Sequence, residues 1–140
     1  MPKKLSSVII KTFHELDKQE LYKFIQLRIE VFVVEQDCPY QDLDDLDSQG
    51  THMWIEEDGV VLTYLRLNPP GTRFKEPSLG RIVTKESARS RGLAEIIINK
   101  ALEIIETKEF FGFDSSEIEV LIHPQSLVHA IACFCDGGMK

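Results

Sequence analysis

The sequence has few cysteines and no long apolar run, and both absences narrow the class of protein. The last two of its three cysteines, Cys38, Cys133 and Cys135, lie too close together for an easy disulfide. The longest apolar stretches span only a few residues, as at 31–34, so no segment predicts a membrane-spanning helix. The apolar segment after the basic start is too short for a signal peptide. We expect a reducing, cytoplasmic compartment and no membrane contact.

Positive charge is scarce. The 16 Lys and Arg residues stand against 23 Asp and Glu, a net charge of -7 that argues against a nucleic-acid partner. The segment 35–58 has no Lys or Arg and nine carboxylates: Glu35, Asp37, Asp42, Asp44, Asp45, Asp47, Glu56, Glu57 and Asp58. The segment 73–91 is basic, with Arg73, Lys75, Arg81, Lys85, Arg89 and Arg91. We expect the acidic segment to attract a cationic acceptor, more weakly as salt rises, and the basic segment to attract an anion.

Two clusters invite a metal site, and neither has suitable spacing. A calcium loop beginning at Asp42 would place Leu46 at its fifth position and no glycine at its sixth. The pair Cys133-x-Cys135, with His123 and His129, is poorly spaced for a tetrahedral zinc site. We therefore expect no bound metal.

The pattern of apolar residues predicts one domain over residues 1–140, with the order β-α-β-β-β-α-β-α. Asp17 is a suitable N-cap for the first helix, and Asp58-Gly59 is a strong hairpin signal. Pro124 suits the first turn of the last helix. The predicted strands are 5–13, 51–56, 60–67, 78–84 and 117–122, and the predicted helices are about 17–32, 92–107 and 124–134.

The turn before the second helix has the composition of a phosphate site. It follows the strand at 78–84 and reads Arg89-Ser90-Arg91-Gly92-Leu93-Ala94. The first turn of a helix leaves backbone N–H groups without partners and carries partial positive charge. Small residues at 92 and 94 would let a diphosphate approach those groups, and the two arginines add charge.

Two motifs resemble a known family. Arg89-x-x-Gly92-x-Ala94 resembles the [Gln/Arg]-x-x-Gly-x-[Gly/Ala] motif with which the GNAT superfamily of N-acetyltransferases holds the pyrophosphate of acetyl-coenzyme A. The string Leu27-Arg28-x-x-Val31-Phe32-Val33-Val34-Glu35-Gln36-x-Cys38-Pro39-Tyr40, followed by Asp44, Asp47 and His52, is similar to the ElaA-type branch. The resemblance covers about residues 20–125. It implies an α/β (α+β) fold with a mixed, mostly antiparallel central sheet flanked by helices.

The resemblance also implies a reaction. The acetyl group would pass from acetyl-CoA to a primary amine of a small molecule or peptide by direct attack, without a covalent acyl-enzyme. The strand Ile82-Val83-Thr84 would present backbone groups to the pantetheine arm and the thioester. The implied contacts with the pyrophosphate and the rest of the cofactor are Arg89, Ser90, Arg91, Gly92, Leu93, Ala94 and Gln125, and the implied substrate contacts are Arg28, Gln36 and Tyr40.

A general base must take a proton from the amine before it attacks. The candidates are Glu35, His52 and His123, and each has an alternative interpretation. Glu35 could pair with Arg28, His52 could hydrogen-bond the acidic segment, and His123 could pack at a strand end. Tyr40, likewise, could either contact substrate or cover the core.

The carboxy-terminal part departs from the family pattern. The family places a general-acid tyrosine after its last motif strand, and no tyrosine follows Tyr64 in this sequence. The residues up to Lys140 also contain no counterpart of the family's final strands. We expect weak turnover, with solvent or a carboxy-terminal cysteine protonating the thiolate. A sheet edge left without those strands favours a homodimer. The alternative function is a non-catalytic acyl-CoA-binding or interaction module.

Overall fold

The computed structural model describes residues 7–107, which contain four strands and two long helices. A π-helical segment continues the first helix, and two short 3₁₀ turns, Phe13–Glu15 and Glu86–Ala88, lie in the connections. The last predicted strand and helix, with His123, Gln125, Cys133 and Cys135, lie outside the described residues. The elements are β1 Ile9–Thr12, α1 Lys18–Ile29, the π-helical segment Glu30–Glu35, β2 Thr51–Glu57, β3 Val60–Asn68, β4 Ser78–Thr84 and α2 Leu93–Glu106.

The described strands form one antiparallel sheet in the order β1-β2-β3-β4, so each strand pairs with the next in the chain. The hairpin predicted between β2 and β3 is confirmed. Asp58 and Gly59 connect these strands with φ of 52° and 80°, the conformation that a primed turn requires. This order confirms the predicted GNAT-like sheet as far as the described residues extend.

The two faces of the sheet bury different helices because successive side chains along a strand point to opposite faces. Trp54, Tyr64 and Val83 pack with Phe24 and Leu27 of α1. The neighbouring positions on the same strands supply the other face, where Met53, Leu65 and Ile82 pack with Ile97, Ala101 and Ile105 of α2. The sheet therefore lies between the two helices, and β4 contributes to both cores.

The first helix begins where the sequence predicts and then changes its geometry. Asp17 accepts a hydrogen bond from the Glu20 backbone N at 2.8 Å, and Glu20 accepts one in return from Asp17 N at 3.1 Å. A regular helix to about residue 32 is wrong, because α1 ends at Ile29 and Glu30–Glu35 is π-helical. The wider turn appears in the hydrogen bond from Gln36 N to Val31 O, which is 3.1 Å long.

Candidate functional site

A cleft of about 670 Å³ lies between the π-helical segment, the end of β4 and the start of α2. It brings together most of the predicted cofactor contacts with the predicted base Glu35 and the predicted substrate contact Gln36. Sequence reasoning missed three lining residues, Val31, Phe32 and Ala88, although the first two lie within the ElaA-like string. The lining is Val31, Phe32, Glu35, Gln36, Ile82, Val83, Thr84, Ala88, Arg89, Ser90, Gly92, Leu93 and Ala94.

The start of α2 has the geometry of an anion site. Gly92 is the N-cap with φ of 75°, and no side-chain cap occupies the first turn. A Cβ added at Gly92 would meet no atom within 4 Å, so the approach to the helix N-terminus is open. Ser90 also has positive φ, at 70°. The turn therefore presents the amino end of a 14-residue helix to the cleft, an arrangement that favours a phosphate group.

Arg89 of this turn is paired with Glu35 of the opposite wall. The Nη1 and Nη2 atoms of Arg89 donate to the two carboxylate oxygens of Glu35 at 2.7 and 2.6 Å. Nε of Arg89 donates to the backbone O of Thr84 at 3.2 Å. The hydrogen bonds from Arg89 lower the pKa of Glu35. The expected alternative, a pair between Glu35 and Arg28, is wrong because Arg89 is the cation beside Glu35.

The second arginine of the turn, Arg91, points elsewhere. Its Nη1 and Nη2 atoms donate to Glu57 at 3.1 and 2.7 Å, and Arg91 is not among the residues that line the cleft. A direct contact between Arg91 and a ligand in the cleft therefore stays a prediction without geometric support.

Arg28, a predicted substrate contact, lies in the protein interior. Its side chain is 0% exposed. Nε donates to Asp42 Oδ2 at 2.9 Å, and Nη1 donates to Asp47 Oδ1 at 2.7 Å. The structure corrects this assignment, because a buried guanidinium held by two carboxylates is not open to a substrate.

Two further buried arginines use the same acidic segment. Arg66 donates from Nη2 to Asp44 Oδ2 at 2.7 Å and from Nη1 to Asp47 Oδ1 at 2.9 Å. Nε of Arg81 lies 2.9 Å from Asp42 Oδ1. Burial raises the pKa of Asp44, but the hydrogen bond and charge of Arg66 more than offset it and hold that pKa at about 2. We call Arg28, Arg66, Arg81, Asp42, Asp44 and Asp47 the arginine–aspartate cluster.

This cluster changes the interpretation of the acidic segment. Asp42, Asp44 and Asp47 are neutralised by buried arginines, and Glu35 and Glu57 pair with Arg89 and Arg91. Five of the nine carboxylates of the segment are therefore paired with arginines, and the expectation that the segment attracts a cationic acceptor loses part of its physical basis. The ion pairs of its aspartates instead hold the loop between α1 and β2 against the sheet.

Tyr40 and His52 both point into this interior rather than the cleft. The Tyr40 hydroxyl donates to Asp42 Oδ1 at 2.9 Å, so the structure favours the core-covering interpretation of Tyr40. His52 is 0% exposed, with Nδ1 2.7 Å from the Tyr64 hydroxyl and Nε2 2.8 Å from the Asp47 backbone O. Burial lowers the pKa of His52. The structure therefore corrects the assignment of His52 as a base and places it beneath the acidic segment.

Fold and site together define an α/β domain with a cleft beside a helix N-terminus suited to anions. Residues 13–132 match the Acetyltransferase (GNAT) family, and the chain belongs to that family. The chain is similar to a solved acyl-CoA N-acyltransferase from Pseudomonas aeruginosa, with 39% identity and a TM-score of 0.69 over 74% of this chain and 72% of that one. It is also similar to Escherichia coli ElaA, with 28% identity and a TM-score of 0.70 over 75% and 72% of the two chains.

A curated relative extends beyond the matched region. A UPF0039 protein of Synechocystis sp. is 38% identical over 92 residues, which cover 65% of this chain and 60% of the relative. The chain thus spans less than two thirds of the length of this relative. Among residues 7–107, no helix is long and apolar enough to cross a membrane.

Proposed function

We propose that this protein transfers an acetyl group from acetyl-CoA to a primary amine by direct attack, without a covalent acyl-enzyme. The observation that carries the proposal is the cleft in which the end of β4, the Gly92 turn and Glu35 meet. Membership of the GNAT family supports acyl transfer in general. The amine acceptor and the direct attack are inferences from the family resemblance.

The residues of the cleft fit the cofactor. Gly92 leaves the amino end of α2 open to a diphosphate, and Arg89 lies beside it on the same turn. The apolar and backbone surface of Ile82–Thr84 continues the cleft away from that turn and suits an extended arm. Bound acetyl-CoA supplies an activated thioester. The backbone of Ile82–Thr84 would orient its carbonyl and stabilise negative charge on the carbonyl oxygen.

Glu35 is the base that we propose among the described residues. It lines the cleft, and its ionised carboxylate can accept a proton. While Arg89 is paired with it, the lowered pKa makes Glu35 a weak base. A diphosphate that competes for Arg89 would raise the pKa of Glu35 toward its ordinary value. His123, which lies outside the described residues, remains a second proposal for this role.

A non-catalytic acyl-CoA-binding module is the second candidate. One observation favours it: the imidazole of His52, one of the predicted bases, is buried away from the cleft. A cleft that retains the phosphate turn but lacks an effective base would bind acyl-CoA without turnover. The acceptor in the first candidate stays a small-molecule or peptide amine.

Calorimetric titration with acetyl-CoA, combined with thiol release across a panel of primary amines, tests both candidates. Binding together with amine-dependent thiol release supports the acetyltransferase. Binding with no release on any amine favours the module. A folded protein that binds neither acetyl-CoA nor coenzyme A contradicts both, because the Gly92 turn would then not be a cofactor site.

A further inference from the structure

We propose that Arg81 is a positioning residue for the thioester, an inference that rests on the proposed function. Its buried side chain, held by the acidic segment, keeps β4 in a bulged conformation immediately before the cleft-lining residues. Arg81 itself does not line the cleft. Its effect would therefore pass through the backbone of Ile82–Thr84.

The bulge is visible in the pairing of β3 with β4. Tyr64 is opposite Val83, and Arg66 is opposite Gly80. Leu65 therefore faces two residues, Arg81 and Ile82, where a regular antiparallel ladder has one. A bulge of this kind leaves backbone groups outside the ladder and re-aims the residues that follow it. Ile82, the second residue of the bulge, lines the cleft, and so do Val83 and Thr84, which follow it.

Arg81 occupies the bulge with a backbone conformation that is strained for arginine. The same conformation would be unstrained for glycine. The φ of Arg81 is 54°, in the left-handed region that an L side chain rarely occupies. Such a conformation persists when surrounding contacts fix it. A neighbouring glycine, Gly80, occupies the preceding position, so the chain places a large side chain at the unfavourable one.

The side-chain contacts of Arg81 supply that fixation. Nε lies 2.9 Å from Asp42 Oδ1, and Nη2 donates to the Asp42 backbone O at 2.8 Å. Nη2 also donates to Asp44 Oδ2 at 3.2 Å, and the guanidinium lies 5.8 Å from the centre of the Tyr40 ring. The side chain is 4% exposed. Three polar contacts and the Tyr40 ring, all from one loop, therefore restrain both the side chain and the backbone from which it extends.

The rest of the arginine–aspartate cluster can survive the loss of Arg81. Asp42 keeps its bond to Arg28 at 2.9 Å, and Asp44 keeps its bond to Arg66 at 2.7 Å. Variants at 81 are therefore expected to fold. Each of them loses the buried ion pair between Arg81 and Asp42, so the effect on β4 is measured as the difference between two variants that share this loss.

The test compares Arg81→Ala with Arg81→Gly. Both remove the side-chain contacts, but only glycine adopts positive φ readily. The readout is the ratio of two affinities, for acetyl-CoA and for S-ethyl-coenzyme A, a thioether that lacks the carbonyl oxygen. This ratio isolates the contact with the carbonyl and needs no turnover. Where turnover is measurable, the kcat and the KM for acetyl-CoA provide a second readout.

We expect the parent to bind acetyl-CoA more tightly than S-ethyl-coenzyme A. In Arg81→Ala the ratio of these two affinities should fall at least fivefold, and in Arg81→Gly part of the ratio should be recovered. The kcat should follow the same order, while the affinity for S-ethyl-coenzyme A changes little. Asp58→Ala is the matched control, because Asp58 has φ of 52° in the β2–β3 turn and does not line the cleft. It should leave the ratio unchanged.

Equal ratios in Arg81→Ala and Arg81→Gly, whether retained or lost, would overturn the inference. Failure of the parent to bind either ligand would overturn the proposed function as well, so the two failures are distinguishable. If Arg81→Ala does not fold, Arg81→Asn replaces it. Asparagine tolerates positive φ better than alanine and is too short for the contacts with Asp42. Arg81→Asn should therefore keep part of the parent's preference for acetyl-CoA over S-ethyl-coenzyme A. A preference equal to that of the parent would contradict the inference.

Discussion

Glu35 and Arg89 join the two walls of the cleft through a pair of hydrogen bonds, 2.7 and 2.6 Å long. One residue belongs to the π-helical segment, and the other belongs to the turn proposed to hold a diphosphate. A ligand phosphate and the Glu35 carboxylate would therefore compete for the same guanidinium.

We expect Glu35→Gln to bind coenzyme A more tightly, because Arg89 is then free to contact the diphosphate. Exposed ion pairs contribute at most about 1 kcal/mol, so the gain should be no more than about fivefold. Titration calorimetry measures it. Glu57→Gln is the matched control, because Glu57 forms the equivalent pair with Arg91, away from the cleft lining. Weaker binding by Glu35→Gln would show that Glu35 supports Arg89 rather than competing with the ligand.

We expect Gly92→Val to weaken the binding of coenzyme A at least tenfold, or about 1.4 kcal/mol. A β-branched side chain is strained at φ of 75°, and it would occupy the open approach to α2. Gly71→Val is the control, because Gly71 has φ of 83° and open space around it but lies outside the cleft lining. It should destabilise the fold in a similar way without changing the affinity. If folded Gly92→Val binds coenzyme A with unchanged affinity, the Gly92 turn is not the cofactor site.

His52 predicts a dependence of stability on pH. Burial lowers its pKa in the folded protein below the ordinary value of about 6.5. The unfolded chain therefore binds more protons below pH 6.5, and the free energy of unfolding should fall as pH decreases from about 6.5 toward the folded pKa. Urea unfolding at several pH values measures the slope. His52→Gln should flatten it in this window, and an undiminished slope would assign the effect to another group.

The arginine–aspartate cluster predicts that replacing a buried arginine lowers the free energy of unfolding much more than replacing an exposed one. Removing one partner of a buried ion pair leaves uncompensated charge, so Arg28→Met should reduce the free energy of unfolding by about 3 kcal/mol. Arg91→Met, which breaks an exposed pair with Glu57, should have a much smaller effect. Urea unfolding at pH 7 compares them. Equal losses would mean that the buried contacts are not maintained in solution.

The same cluster weakens the expected dependence of the reaction on salt. Because Asp42, Asp44 and Asp47 are paired with arginines, these three aspartates add little long-range attraction for a cationic amine. We expect the kcat/KM for a cationic acceptor to change less than about threefold between low and about 0.15 M salt. Initial rates over a salt series test this. A steep decline would restore a steering role for the acidic segment.

The sequence by itself determined the local features whose causes lie close together along the chain. Asp17 caps α1 because its side chain reaches the N–H of Glu20, three residues away. Asp58-Gly59 forms the hairpin because its residues tolerate positive φ, and Gly92 begins α2 for a similar reason. The motif at 89–94 also predicted the family, which the match over residues 13–132 confirms.

Only the tertiary structure decided which charges meet. Arg28 pairs with Asp42 and Asp47, 14 and 19 positions away, and Arg89 meets Glu35 across 54 positions. Composition shows that these charges exist, but the packing of α1 and the acidic loop on the sheet decides which of them are buried together. The same packing removed His52 and Arg28 from the candidate site and left Glu35 in it. Local periodicity cannot supply this information, because ion pairing depends on distance in space and on exclusion of water.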